Sequence, residues 1–541
     1  MATSGLSGIT SGFDSATVVQ QLVALEKRPI QLIQAKRDIE AQKLSTFQEL
    51  KSRLQTFKSV VTSINTESRF LATKGTFNNN SASALTKVVD ITTTSTATSG
   101  TFSFTVNSLA KEGKVVSEGF AATDSAIPTG TLTITVGSTV TTVTIDSSNN
   151  TVDGLRLAIN NSGANVSATF LDNGDASKPI QLLISGTKTG AANAVSVRLT
   201  QPSLGAGPLD AVQFTQTQAA QDARLTVDGI SVTKSSNTVT DVLPGTVLSL
   251  QGSGSGTITL SSDTNTIKTQ INSFVTGYND LMTYLNKQLA IDVAANTTGA
   301  LFGNYTAENI QQTLRNSISG QVAGLSGDFQ YLSQIGITTQ SDGALTIDDG
   351  KLSDALARDI GNVTRLFASK GTTNNANVTF VGFTENTVAG TYDARISGGA
   401  VQLSPSGKND YVSATGTGNF FAGATGTDAE GLNFRIAATA DGSYGSINLT
   451  VGVAETLNRA LANLTDTSRG GPLASELDTA TKSIDDYDDQ ILKQTQRVAQ
   501  VEENLKAKFT NLDTLLSKLN SQKQAFTSAL QGVQNTSPKS S

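Results

Sequence analysis

The sequence predicts an α+β protein of several domains, in which terminal coiled-coil helices and a helical domain flank β-rich domains. Three observations lead to this prediction. The chain has 541 residues, enough for roughly three or four domains. An apolar residue recurs at every seventh position near the C-terminal end, as in a coiled coil. Runs rich in Thr and Val alternate with period two in the middle of the chain, as in half-buried strands.

The N-terminal part of the chain has the signals of two consecutive helices. Asp14 is a candidate N-cap for a helix over Ser15–Glu26, because its carboxylate can accept hydrogen bonds from the first backbone N–H groups. Pro29 should break or restart that helix. Beyond the proline, apolar side chains recur at spacings of three and four residues, which predicts a coiled-coil seam of Phe47, Leu50, Leu54, Phe57, Val61 and Ile64.

The middle of the chain changes between strand-like and helix-like patterns. Residues 78–265 are rich in Thr and Ser, and we expect two β-rich domains there. Within them, Thr131–Val136 and Thr139–Ile145 alternate on either side of a Gly-Ser pair, which predicts a hairpin. Residues 264–370 are predicted to be helical, and residues 377–451 to form a small β insertion.

The strongest pattern is the C-terminal heptad repeat, whose nine positions are all apolar: Leu477, Ile484, Ile491, Val498, Leu505, Leu512, Leu519, Phe526 and Val533. Such a repeat imposes a left-handed supercoil with a partner helix, in a rod of about 85 Å. One such position is typical of an ordinary helical bundle, but nine in succession indicate contact between elements or subunits. The second seam position is polar at Gln494, Lys508 and Gln522, so we expect a rod that is marginal in the monomer and ordered on assembly.

The charge distribution suggests that the N-terminal helix is the partner of this rod. The second half of the N-terminal helix is basic (Lys51, Arg53, Lys58, Arg69, Lys74), and the start of the C-terminal helix is acidic (Glu476, Asp478, Asp485, Asp486, Asp488, Asp489). An antiparallel pair would set these two regions side by side, and reversing the aspartate charges should then weaken the pairing at low salt. The alternative is a solvated acidic helix start that complements the helix dipole. Both interpretations stay open.

The amino-acid composition excludes most kinds of catalytic and metal site. The chain has no Cys and no His, which excludes disulfides, thiol chemistry, His-based proton transfer and most metal sites. A formal net charge of −6 argues against a nucleic-acid partner. We find no catalytic constellation and expect no enzyme activity, catalytic residue, cofactor or metal. An enzyme relying on Asp, Glu, Lys or Tyr alone stays open without support.

Short motifs that could suggest ligand sites are interpreted as turns. Gly252–Gly256 lacks the lysine and the following helix of a phosphate loop, so we expect a hairpin tip. Asp172–Asp175 and the segment at Asp342 lack the closing Glu of a calcium loop, and both are expected to be turns. No run of about 18 apolar residues is present, so we expect no membrane contact. No basic stretch precedes an apolar run at the start, so we expect no cleaved secretory signal.

Several segments resemble, in the same order, those of the flagellar filament cap family, also called flagellar hook-associated protein 2 or FliD. The opening SGITSGFD is similar to the family's S-G-x-x-S-G-[hydrophobic]-D start. The segments with this resemblance are Ser7–Asp14, Val18–Ile30, Asp222–Leu250, Ile271–Leu285 and Leu332–Leu356. Gly130–Val197 resembles the small β repeat of flagellins and hook proteins, whereas residues 377–451 match least.

The resemblance implies a non-enzymatic protein that forms a homo-oligomeric ring, of four to six subunits in the family, on the distal end of the flagellar filament. Its partners would be exported flagellin, which folds and inserts beneath the ring instead of being lost, the hook–filament junction proteins and a flagellar export chaperone. The chain would leave the cell through the flagellar type III pathway without a cleaved signal. It would then reside outside the cell at the filament tip.

Pattern and resemblance together predict six segments. They are an N-terminal export and stalk segment (1–43), a helical leg domain (44–78 with 264–376 and 452–480), a β-rich head domain (79–120 with 215–263), a second head domain with the flagellin-type repeat (121–214), the β insertion (377–451) and a C-terminal coiled-coil stalk (481–541). The stalk core and assembly interface are expected to comprise the six apolar residues of the N-terminal seam and the nine heptad residues.

Three other functions compete with this interpretation. An extracellular adhesin on a coiled-coil stalk would share the composition, and cell adhesion is compatible with a cap role. A hook–filament junction protein belongs to the same export class but should have flagellin-like terminal helices. A cell-wall or glycan hydrolase would require a catalytic pair that the sequence does not display.

Overall fold

The protein is described by a computed structural model at residues 14–80, 87–94, 96–201, 209–466 and 470–534, without the side chains of 209, 210, 533 and 534. The motif at Ser7–Phe13 and the side chain of Val533 lie outside this description. The chain forms two compact units, one of which is Glu67–Gln270 and the other the described residues up to Thr66 and from Ile271 onward. The helices of the described residues are α1 (Ser15–Glu26), α2 (Arg28–Thr62), α3 (Glu67–Phe70), α4 (Val152–Asn160), α5 (Thr264–Leu289), α6 (Tyr305–Ser319), α7 (Asp349–Phe367), α8 (Val453–Thr465) and α9 (Pro472–Gln534).

Strands fill the regions between these helices. Those before α5 are β1 (Thr73–Asn79), β2 (Val89–Thr93), β3 (Gly100–Ser108), β4 (Glu112–Ser117), β5 (Gly130–Val136), β6 (Thr139–Ile145), β7 (Val166–Asp172), β8 (Ile180–Thr189), β9 (Val195–Gln201), β10 (Leu209–Val212), β11 (Phe214–Gln218), β12 (Ala223–Val227), β13 (Ile230–Lys234), β14 (Thr238–Val239), β15 (Thr246–Leu250) and β16 (Gly254–Ser262). Those after α5 are β17 (Ile291–Asp292), β18 (Thr297–Thr298), β19 (Ile337–Thr339), β20 (Leu345–Ile347), β21 (Lys370–Thr373), β22 (Val378–Gly382), β23 (Gly390–Ser397), β24 (Ala400–Pro405), β25 (Val412–Ser413), β26 (Thr415–Thr417), β27 (Phe420–Ala422), β28 (Asn433–Ile436) and β29 (Gly442–Thr450).

The first two helices begin where the sequence predicts. The Asp14 carboxylate accepts a hydrogen bond from the Thr17 backbone N–H at 3.1 Å, which confirms the predicted N-cap. α1 ends at Glu26, and α2 starts at Arg28 with Pro29 in its first turn. A proline there removes only an N–H that the helix leaves unpaired, so the predicted restart is confirmed.

Large side chains from three helices form the core of the helical region. The ring centroid of Phe57 on α2 lies 5.8 Å from that of Phe274 and 6.1 Å from that of Tyr278, both on α5. Phe274 in turn packs edge-on against Phe367 of α7 at 5.6 Å. α2 and α5 approach each other so closely that a Cβ atom at Gly277 would lie only 3.1 Å from the Phe57 ring. Aromatic packing thus holds α2, α5 and α7 together.

Buried tyrosines predict how stability falls at high pH. Burial raises the pKa of Tyr278 to about 12, and it raises the pKa of Tyr392 to about 12 as well. Because the unfolded chain loses these protons near pH 10, the free energy of unfolding should be unaffected below pH 10. Between pH 10 and 12 it should fall by about 1.4 kcal/mol per pH unit for each tyrosine. Tyr278→Phe should therefore flatten the decline, as measured by urea unfolding at several pH values.

The matched control is Tyr305→Phe, because that side chain is 79% exposed. It should leave the pH dependence of unfolding unchanged. An equal flattening by both variants would contradict burial as the cause.

The unit Glu67–Gln270 contains two hydrophobic cores. One lies between the sheet β1-β16-β3-β12-β13 and the sheet β14-β15-β2, and it includes Phe104, Leu225 and Leu248. The other lies between the sheets β10-β9-β5-β6 and β11-β4-β8-β7, where α4 covers it with Leu155 and Ile159. The predicted α+β class is confirmed by this mixture of helical and strand-rich parts.

Three strands lie outside the segments in which the sequence places them. β1 falls in the range 44–78, which is predicted to be helical, but it pairs with β16 along its whole length. β4 and β11, predicted to lie in the first head domain, pair with each other, and β4 also pairs with β8 in the sheet of the second core. The cause is the chain path, which enters and leaves the second core through these two neighbouring strands. The remaining domain boundaries stay a prediction.

The hairpin prediction is confirmed, whereas the predicted hairpin tip at Gly252–Gly256 is wrong. β5 and β6 pair in continuous register around Gly137, whose φ of +59° suits the tight turn. Gly256 instead lies within β16, which pairs with β1 and β3, so β15 and β16 belong to different sheets. A Cβ atom at Gly256 would lie 2.4 Å from the Phe77 ring, so close packing rather than a turn requires this glycine.

The two predicted acidic turns are present. The Asp172 carboxylate accepts a hydrogen bond from the Gly174 N–H at 2.8 Å, and the Asp342 carboxylate accepts one from the Ala344 N–H at 2.9 Å. These contacts are typical of Asp in turns.

Residues 370–451 form a two-sheet sandwich with its own core. The sheets are β21-β29-β23-β24-β25 and β22-β28-β27-β26, and Tyr392, Phe434 and Ile447 lie between them. The Tyr392 hydroxyl lies 2.6 Å from the Val388 carbonyl oxygen and 2.8 Å from that of Asp428, so it can donate a hydrogen bond to either one.

Candidate assembly surface

The terminal helices form an antiparallel pair. The Ser15 hydroxyl of α1 donates to the Asp513 carboxylate of α9 at 2.7 Å. Glu26 and Arg497 form an ion pair at 2.9 Å, and Arg37 of α2 and Asp488 form another at 3.1 Å. Residue numbers therefore rise along α1 and α2 while they fall along α9. The predicted antiparallel arrangement is confirmed.

A narrow apolar seam joins the two arms of this pair. Val19, Val23 and Ile30 meet Val498, and the half-buried side chains Ile491, Leu505 and Phe509 pack against this cluster. A groove of about 420 Å³ opens between α1 and α9 at Phe509. The seam is thus thin compared with a domain core, as expected for two helices alone.

Among the described heptad residues, burial is lost at the C-terminal end of α9. Leu477, Ile484, Ile491 and Leu505 are half-buried, and Val498 is buried. From Leu512 onward, at and beyond the point where α9 meets the start of α1, the described heptad residues are exposed: Leu512 (40%), Leu519 (62%) and Phe526 (68%). The neighbouring Leu515 and Leu530 are also exposed. The end of α9 is therefore an apolar stripe that no described residue of the same chain covers.

The six residues of the predicted N-terminal seam lie in the core instead. Phe47, Leu50, Leu54, Phe57, Val61 and Ile64 are each at most 1% exposed. Because they are enclosed within one copy, they offer no free surface to a second subunit. The part of the predicted interface that is accessible consists of Leu512, Leu519 and Phe526, and its role in assembly stays a proposal.

The acidic start of α9 does not pair with the basic residues that the sequence predicts. Asp488 contacts Arg37, not the basic residues from Lys51 to Lys74. Arg53 instead pairs with Glu49 one turn earlier on its own helix, at 2.7 Å. The cause is register: Arg37 lies opposite Asp488, so the basic residues beyond Lys51 extend past the start of α9 at Pro472.

Charge reversal should consequently matter at one position of the acidic cluster. Asp488→Lys should weaken the contact between α2 and α9 at low salt, because it places two cations together where Arg37 now pairs with a carboxylate. Asp485→Lys is the matched control, since Asp485 has no ion pair among the described contacts. Thermal unfolding of the helices at low and high salt should separate the two variants, and the difference should vanish at high salt. Equal effects of both would refute a specific pair.

A second apolar stripe on the N-terminal helices was missed by the sequence analysis. Leu22, Leu25, Leu32 and Ile39 are between 39% and 68% exposed, and half-buried Val18 continues the row. Their spacings are four, three, seven and seven residues, which is a heptad pattern on the side away from the α9 seam. The signal was present in the sequence but was hidden by the interleaved inner seam. Both arms of the rod thus present apolar rows to the outside.

The described residues contain no group of three or more Asp and Glu side chains that could hold a metal ion. Within the same residues, no helix has an apolar stretch long enough to cross a membrane.

Comparison with known proteins identifies the family. The profile of the flagellar hook-associated protein 2 C-terminus matches residues 220–521, and that of its N-terminus matches residues 11–113. The flagellar hook-associated protein 2 of Escherichia coli K12 is 32% identical over 392 residues, which cover 69% of this chain and 81% of that protein. The B-type protein of Pseudomonas aeruginosa is 29% identical over 381 residues, covering 65% and 76%.

One solved structure matches most of the chain. The crystal structure of the flagellar cap protein FliD D1-D2-D3 domains from Escherichia coli matches with a TM-score of 0.53 at 25% identity, and it covers 81% of this chain and 99% of that one. These matches do not favour an adhesin or a hook–filament junction protein. This chain belongs to the flagellar hook-associated protein 2 (FliD) family, whose members are structural proteins of the extracellular flagellar cap and not enzymes.

Proposed function

We propose that this protein caps the distal end of the bacterial flagellar filament as a homo-oligomeric ring of four to six subunits. The ring promotes folding and insertion of exported flagellin and prevents its loss into the medium. The subunits reach the tip through the flagellar type III pathway, with the help of an export chaperone, and first contact the hook–filament junction proteins. Family membership and the exposed apolar rows of the rod support this proposal.

The observation on which the proposal rests most is the uncovered end of α9. Leu512, Leu519 and Phe526 stand in one heptad row and are 40% to 68% exposed. Full burial of each such side chain is worth roughly 1.5–3 kcal/mol relative to exposure. The described residues of a single subunit leave this row exposed, whereas a ring or the filament beneath it can bury it. Contact with a neighbour is therefore the physical reason for keeping the row apolar.

The mechanism requires binding energy and no bond chemistry. The exposed rows are narrow, so each contact is weak enough to exchange when a new flagellin subunit enters. A ring with several such contacts can shift at one subunit while the others hold it in place. Redistribution of contacts among subunits then moves the cap by one step per added flagellin.

The test changes only the exposed row. In the full chain, Leu512→Ser, Leu519→Ser and Phe526→Ser together should reduce the oligomer to monomers in sedimentation velocity. Cells with this triple variant in place of the wild type should release unpolymerised flagellin into the medium and build no long filaments. Ser517→Ala, Ser521→Ala and Thr527→Ala on the same exposed end of α9 form the control and should behave as wild type. Normal filaments on cells with the serine variant would overturn the proposal.

A further inference from the structure

The strand β6 is a free sheet edge with an unusual composition. It ends the sheet β10-β9-β5-β6, and its residues read Thr-Val-Thr-Thr-Val-Thr-Ile. All seven are β-branched, none is charged, and the register with β5 is unbroken from Thr139 to Ile145. Val140 is 60% exposed. An edge of this kind is a template for pairing with another chain.

The other edge strands of the described sheets have protection that β6 lacks. Most of those with four or more residues contain a charge, as in β1 (Lys74), β2 (Asp90), β7 (Asp172), β10 (Asp210), β13 (Lys234) and β21 (Lys370). The uncharged β11 and β22 have a break in register against their neighbours. The remaining edges have two or three residues. Charges, bulges and short length are the ordinary means by which proteins prevent edge pairing, so their absence from β6 needs an explanation.

The hairpin fixes which backbone groups are free. Residues beside a two-residue loop exchange both hydrogen bonds, so every second residue along β6 turns its N–H and C=O outward: Val140, Thr142 and Thr144. The Asn149 side-chain amide donates to the Thr144 carbonyl oxygen at 3.1 Å, which closes that end. The free segment is therefore centred on Val140–Thr142.

We propose that β6 pairs antiparallel with β6 of a second copy of this chain, so that two four-stranded sheets join into one of eight strands. An uncharged strand meets its own copy without like-charge repulsion. A two-fold antiparallel pair also keeps side chains of the same face together, with Thr139, Thr141 and Val143 on the core side and Val140 and Thr142 on the outer side. Among the described edges, only β6 itself offers a second edge of equal length without charge or bulge.

This contact differs from one that builds a ring. A two-fold pair uses the same surface on both copies and closes at two subunits. Seven residues a side bury less than the roughly 1,200 Å² of a stable interface, so the pairing is weak in solution and gains strength where other contacts already hold the subunits. The inference does not depend on the cap function.

Single cysteines test the pair directly, because the chain has no Cys of its own. The centre of a two-fold antiparallel pair falls on a residue that faces its own copy. One of the full-length variants Val140→Cys, Thr141→Cys and Thr142→Cys should therefore form a covalent dimer under mild oxidation. Thr131→Cys is the control: like Val140 and Thr142 it is exposed to solvent, but it lies on the central strand β5, and it should stay monomeric on a denaturing gel.

A charge at the edge provides the second measurement. Adding lysine at a neighbouring outward position, Val140 or Thr142, to the crosslinking variant should lower the dimer yield at least about tenfold, because a charged side chain on an edge strand opposes pairing with another strand. Adding Thr131→Lys should leave the yield unchanged. Far-ultraviolet circular dichroism checks that each variant is folded. Absence of a covalent dimer at all three positions, or yields no higher than for Thr131→Cys, would overturn the proposal.

Discussion

Replacing Phe57 with alanine should lower the free energy of unfolding by about 3–5 kcal/mol. Phe57 is 1% exposed and contacts Phe274 and Tyr278 across the interface between α2 and α5. Its removal opens a cavity among aromatic rings that cannot collapse, since Phe274 is also held by Phe367. Urea unfolding followed by helical circular dichroism measures the loss.

Phe526→Ala is the matched control for this change. The same atoms are removed, but Phe526 is 68% exposed on α9 and no described residue of the chain covers it. Stability of the monomer should change by less than about 0.5 kcal/mol. If both variants lost the same stability, the assignment of Phe57 to the core and of Phe526 to a free surface would be refuted.

This contrast shows what apolar periodicity can and cannot predict. Spacings of three, four and seven residues correctly place Phe57 and Phe526 on apolar helix faces. They do not tell which face is covered, because coverage depends on what the rest of the chain brings against it. α5 and α8 pack against the α2 seam, whereas α1 begins at Ser15, opposite Asp513, and no described residue covers the α9 row beyond that point. The exposed fraction is a tertiary property, so only the structure reveals it.

Register is the second property that the sequence alone leaves open. The antiparallel direction of the terminal helices, which the opposite charges of their sequences suggest as one of two open interpretations, is confirmed. The specific pair, Arg37 with Asp488, depends on where α9 begins relative to α2. The same limit applies to the strands, since the hairpin of β5 and β6 is local and predictable. The pairing of β1 with β16 joins residues far apart in sequence, and the weakly alternating β1 gives little sign of it.

The β insertion is held to the helical region by a buried charge network, and breaking it should cost about as much as the Phe57 change. Glu455 on α8 is 5% exposed and accepts hydrogen bonds from the Asn65 amide at 2.7 Å and from Arg459 Nε at 3.0 Å. The Arg459 guanidinium also donates to the carbonyl oxygens of Thr384 and Thr387 in the insertion, at 3.2 and 2.8 Å. Glu455→Leu should lower the free energy of unfolding by about 3–5 kcal/mol, because it leaves the Arg459 cation without its partner.

A double-mutant cycle separates the cost of an unpaired charge from the worth of the pair. Arg459→Met alone should also destabilise, since the Glu455 carboxylate is then left buried with amide partners only. The double variant Glu455→Leu with Arg459→Met leaves neither charge behind, and its loss should be smaller than the sum of the two single losses by about 0.5–3 kcal/mol. Glu502→Leu with Lys506→Met, an ion pair at 2.6 Å on the more exposed part of α9, is the control cycle and should show almost no coupling. Additive losses at Glu455 and Arg459 would mean that the two side chains act independently and that the insertion is held by its packing instead.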